Sequence, residues 1–89
     1  MINKKIFNNF KIYFDQDYFF DENSQKNNLF FTTKNNCFHL IKIDNNNKFE
    51  LLDDKEHYDL FFEANDGKEL LNKLINFFQN EKITINEII

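Results

Sequence analysis

The sequence predicts an α+β fold: one small domain, residues 1–89, in which an antiparallel sheet of about five strands carries a C-terminal amphipathic helix on one face. Three observations predict it. Short runs rich in aromatic and β-branched residues recur between polar turn segments, as strands of a meander do. Cys37 to Ile43 has apolar groups on both of its alternating faces, the mark of a central strand. From Asp66 onward the period changes from two to that of a helix.

Residues 2–14 fit two patterns. Ile2, Ile6, Phe10 and Phe14 recur every four residues, whereas Phe10, Ile12 and Phe14 alternate with Lys11 and Tyr13. We read a strand over 10–14, a tight turn at 15–17 and a return through Tyr18-Phe19-Phe20, so that 10–20 is a hairpin. Residues 21–28 form a polar loop, and Leu29–Thr33 is the next strand. Lys34-Asn35-Asn36 turns into Cys37–Ile43, whose two faces carry Cys37, His39, Ile41 and Ile43, and Phe38, Leu40 and Lys42.

Asp44 to Asn47 is a turn, because Asp and Asn tolerate left-handed backbone. Lys48–Leu52 returns as a strand and makes a second hairpin. After a charged connection at 53–57, Tyr58, Leu60, Phe62 and Ala64 alternate with Asp59, Phe61 and Glu63 as a further strand. Asp66 stands three residues before Glu69, the spacing of a capping box. Leu70, Leu71, Leu74, Ile75 and Phe78 then form one apolar stripe opposite Glu69, Asn72, Lys73, Asn76 and Gln79. Residues 83–89 are either a last strand at a sheet edge or a loose tail.

At 89 residues there is room for one small core. Arginine, proline, tryptophan and valine are absent, while Phe, Ile, Lys, Asn and Tyr abound, which reports AT-rich codon usage more than structural demand. The surplus of phenylalanine survives that correction, since the same bias is met by isoleucine, asparagine and lysine. With 13 phenylalanines and 3 tyrosines, some rings are expected on the surface, as a contact patch or in a homodimer interface.

The net charge is −4, and all 11 basic residues are lysines scattered along the chain. Without arginine or a basic stripe, direct nucleic-acid binding is not expected. The single cysteine excludes an internal disulfide and fits a cytoplasmic protein. Asn8, Asn9 and Lys11 interrupt what a signal peptide keeps apolar. No apolar run approaches the ~20 residues of a membrane span. A cytoplasmic protein without a membrane partner is the expectation.

No catalytic constellation is visible. Cys37 and His39 share a strand face, but neighbours two apart point in parallel, and no spacing supplies further metal ligands. We read Cys37 as a small core residue beside a partly exposed histidine. Asp66-Gly67-Lys68 lacks the glycine-rich loop of a phosphate site and reads as a cap. The stretch from Asp15 to Glu22 lacks the glycine and ligand spacing of a calcium loop. The chain is therefore expected to be no enzyme and to need neither cofactor nor metal.

Two acidic–aromatic clusters stand out. The first is Asp15, Asp17, Asp21 and Glu22 with Tyr18, Phe19 and Phe20; the second is Asp53, Asp54, Glu56, Asp59 and Glu63 with Tyr58 and Phe61. Carboxylates around exposed rings suit a basic protein partner: the rings supply buried anchors, and the charges steer association and set register. All fourteen residues are expected at a partner-binding surface.

The stretch from Phe61-Phe62-Glu63-Ala64 through Glu69-Leu70 to Phe77-Phe78 resembles the last strand and helix of pleckstrin-homology domains, without the tryptophan usual in that helix. No site residue follows from it. In size, acidity and lack of catalytic motifs the chain also resembles small inhibitors encoded by phages and mobile elements, namely anti-CRISPR proteins and toxin-immunity proteins. That resemblance implies a protein-binding inhibitor that blocks a nucleic-acid-handling effector. The alternatives are a toxin-immunity protein and a self-associating structural or adaptor module.

Overall fold

A computed structural model describes residues 19–20, 27–43, 47–85 and 87–88. Four full strands, β1 (Asn28–Thr32), β2 (Cys37–Lys42), β3 (Lys48–Asp53) and β4 (Asp59–Glu63), form an antiparallel meander. Helix α1 (Gly67–Asn80) follows, and a two-residue strand β5 (Glu87–Ile88) closes the order β4-β3-β2-β1-β5. The α+β fold is as the sequence predicts, with β2 in the middle of the sheet. The chain beyond α1 takes the edge-strand alternative, pairing antiparallel with β1. A strand after the helix departs from the pleckstrin-like order. The expected strand over 10–14 and its turn lie outside the described residues. Phe19 and Phe20 form a turn, where the sequence pattern suggests a strand.

The register makes one face of the sheet the core. Leu29 faces Leu40 and then Leu51 and Leu60; Phe31 faces Phe38; Phe49 faces Phe62. Onto this face α1 lays Leu70, Leu74 and Phe78, all fully buried. Leu71, Ile75 and Phe77 pack against the same cluster. Phe38 and Phe78 meet edge to face at 5.3 Å, and Phe31 meets Phe78 at 5.8 Å. Burying a side chain of this size contributes roughly 1.5–3 kcal/mol, so a few phenylalanines carry much of a small core.

Local chemistry sets the turns. In the β1–β2 turn, Thr33 N–H donates to Asn36 O at 2.8 Å, and the Thr33 hydroxyl accepts from Asn36 N–H at 3.0 Å. Asn47 adopts φ 60°, the left-handed conformation that asparagine tolerates. Asp66 is the helix N-cap: its backbone is extended and its carboxylate accepts the Glu69 N–H at 2.8 Å. The Glu69 carboxylate lies 3.3 Å from Lys73 Nζ, one turn along the helix.

Candidate protein-binding site

The two acidic–aromatic clusters are treated differently by the fold. In the first, Asp15, Asp17, Tyr18, Asp21 and Glu22 lie outside the described residues. Phe19 is not a surface ring: it is 3% exposed and packs edge to face on Phe49 at 5.4 Å. Phe20 is half-buried, 5.9 Å from the same ring. Lys42 clamps this turn, donating to Phe19 O at 2.6 Å with its ammonium 5.0 Å from the Phe20 ring centre. Phe19 belongs to the core because Phe49 and Lys42 together offer its turn a ring face and a hydrogen-bond donor.

The second cluster divides into three parts. Asp53 is also a correction to the expected contact surface: it is 3% exposed and faces inward at the end of β3. Its carboxylate accepts Tyr58 N–H at 2.8 Å and Asn36 Nδ2 at 3.0 Å, and lies 4.0 Å from His57 Nδ1. Burial pushes this carboxyl up, but the bonds from Tyr58, Asn36 and His57 together with the imidazole outweigh burial and hold it below its ordinary value. Tyr58 is half-buried against Phe77 at 5.5 Å and Phe38 at 5.7 Å, and its hydroxyl donates to Glu81 at 3.3 Å. Asp54 and Glu56 are exposed in the β3–β4 turn. Asp54 holds that turn to β2 by accepting Cys37 N–H at 3.0 Å and donating its own N–H to Cys37 O at 2.9 Å.

The third part is a coherent surface. Asp59, Phe61 and Glu63 alternate along β4 on the face opposite the helix, and Phe61 is 68% exposed. The register sets Glu50 of β3 directly across from Phe61, and Lys48 across from Glu63. Glu50 and Asp59 are diagonal neighbours on this face. A hydrogen bond with Asp59, followed by burial and the Asp59 charge, raises the Glu50 carboxyl above its ordinary value. The sequence pattern misses Glu50. Its position between Phe49 and Leu51 marks an outward residue, but its neighbours depend on the pairing of β3 with β4.

The same outer face continues across β2 and β1. His39 stacks flat on Phe30, with ring centres 4.2 Å apart and planes 10° apart. His39 Nε2 is buried without a hydrogen-bond partner among the described residues, and burial lowers the imidazole's affinity for a proton. Cys37 lies on this face, half-buried, rather than in the core. Burial and the Asp54 charge raise its thiol, which holds it protonated. Phe30, across from His39, and Ile43, just past the end of β2, are exposed apolar side chains. Among the described residues no three His, Cys, Asp or Glu side chains are grouped as metal ligands would be. No helix among them is long and apolar enough to cross a membrane.

β4 is the edge of the sheet among the described residues. Beside it, between strand and helix, runs a groove of ≈ 270 Å³ lined by Leu60, Phe62, Leu74 and Phe77 and bordered by Lys73. Lys73 Nζ donates to the Glu63 carbonyl, covering one backbone acceptor of the edge. Comparison of the chain with protein-family models, characterised proteins and solved structures gives no match.

Proposed function

We propose that the chain is a non-enzymatic protein-binding inhibitor of the anti-defence kind encoded by phages and mobile elements. Its target is a protein with a basic, nucleic-acid-handling surface, and it acts in the cytoplasm of the host cell. The observation that carries this reading is Phe61, a largely exposed ring on β4, the edge strand among the described residues, flanked by Asp59 and Glu63 on its own strand and by Glu50 of β3. An aromatic ring is a strong interfacial anchor once water is excluded around it. Carboxylates ringing it attract lysine and arginine side chains and set orientation. A net charge of −4 is too small for mimicry of a nucleic acid over the whole surface, so the acidic patch acts locally.

Inhibition follows by occlusion. A basic groove occupied by this patch loses access to phosphates, because both compete for the same cations. The experiment is affinity capture followed by displacement with a short duplex. The reading expects a captured protein that binds nucleic acid and releases one ligand as the other is added. A captured protein that holds chain and duplex together without competition contradicts it.

A further inference from the structure

At the end of the sheet opposite the β2–β3 turn, three loops meet around a second cleft. The β1–β2 turn, the β3–β4 turn and the segment after α1 enclose ≈ 540 Å³. Ligand pockets commonly span roughly 300–1,000 Å³. The lining includes Lys34, Lys55, Lys82 and His57, and among the described residues it includes no carboxylate. This is notable in a chain with 15 acidic and 11 basic residues. None of the three lysines has an ion-pair partner among the described residues.

Among the carboxylates of these loops, Asp53, Asp54 and Glu81 are engaged, while Glu56 is exposed in the β3–β4 turn. Asp53 lies beneath it, bonded to Asn36 and Tyr58 and close to His57. Glu81 accepts the Tyr58 hydroxyl. The wall carries five donor groups with no side-chain partner among the described residues: three ammonium groups, the Asn35 amide and the Thr84 hydroxyl. Lys82 adds a second observation. It has φ 56°, just past the helix end, where glycine or asparagine is the ordinary choice. This chain is rich in asparagine, yet it places lysine there.

We propose that this cleft binds a small oligophosphate, either inorganic or the phosphate chain of a nucleotide. Lysine is a point-charge binder of phosphate oxygens, and three lysines from separate loops bordering one cleft suit a ligand with more than one phosphate group. The site is independent of the β4 surface, and neither depends on the other being correct.

The test is an amide-resolved NMR titration of the full chain with inorganic phosphate, pyrophosphate and ATP. Saturable shifts confined to 33–36, 55–58 and 82–84 with pyrophosphate or ATP support the site. Tighter binding of ATP than of pyrophosphate assigns the nucleotide source, and equal binding assigns the phosphate chain alone. Each of Lys34→Gln and Lys55→Gln should weaken binding roughly fivefold. Lys82→Asn keeps a residue suited to the left-handed backbone, so it should weaken binding without lowering the melting temperature. Absence of saturable shifts overturns the proposal. So do shifts spread equally to Lys42, Lys48, Lys68 and Lys73, unchanged affinity when Lys34→Gln, Lys55→Gln and Lys82→Asn are combined, or tighter binding of a single-stranded oligonucleotide than of ATP.

Discussion

The buried carboxylate of Asp53 accepts the Tyr58 N–H at 2.8 Å and so closes the β3–β4 turn from inside. Its other oxygen takes Asn36 Nδ2 at 3.0 Å, which ties the β1–β2 turn to the same point. One side chain thus joins two hairpins. Asp53→Ala should cost about 2–3 kcal/mol, because it leaves two donors without their charged acceptor. Urea denaturation of the two proteins at neutral pH measures this.

The same carboxyl sets an acid limit. Its affinity for a proton is lower folded than unfolded, so its contribution is complete above the unfolded carboxyl range. It is lost as the pH falls through that range toward the folded value. Stability measured from pH 6 downward should therefore fall less steeply in Asp53→Asn than in the parent, starting from a lower plateau. Parallel curves would place the acid sensitivity elsewhere.

His39 gives a separate window at higher pH. Burial lowers its proton affinity in the fold, so the unfolded chain binds the extra proton as the pH drops through the ordinary histidine range. Stability should decline there. His39→Phe keeps the stack on Phe30 and removes an unpartnered buried nitrogen. It should leave stability unchanged or raise it by up to about 1 kcal/mol and abolish that decline. Thermal melts across the interval check both effects.

Surface and core phenylalanines should separate cleanly. Phe61 is 68% exposed, so Phe61→Ala should change stability by less than about 0.5 kcal/mol. Phe78 is fully buried among Phe31, Phe38 and Phe77, and Phe78→Ala should cost about 3–5 kcal/mol. Phe19→Ala should resemble Phe78→Ala in kind, because its ring rests on Phe49. Chemical denaturation of the three variants gives the ranking.

What the sequence makes legible follows from how local each signal is. The Asp66 cap, the helix stripe and the two faces of β2 are written in neighbouring residues, and the fold reproduces them. Phe19 and Asp53 are misplaced by the same local logic, since a ring or carboxylate among acidic neighbours looks solvent-facing. Their partners, Phe49 and Asn36, are distant in sequence and become neighbours only in the folded chain. Glu50 is hidden for a related reason, as it joins Asp59 through strand register. Lys34, Lys55 and Lys82 look scattered until three loops converge.

The central claim is that Phe61 and its flanking carboxylates form the contact surface. The most direct measurement is side-by-side affinity capture with the parent chain, Phe61→Ala and the charge-reversed pair Asp59→Lys/Glu63→Lys, each first shown to melt as a folded protein. The account predicts that a nucleic-acid-binding partner is retained by the parent and lost, by roughly tenfold or more, in both variants. Retention of the same partner at parental strength by both would contradict it.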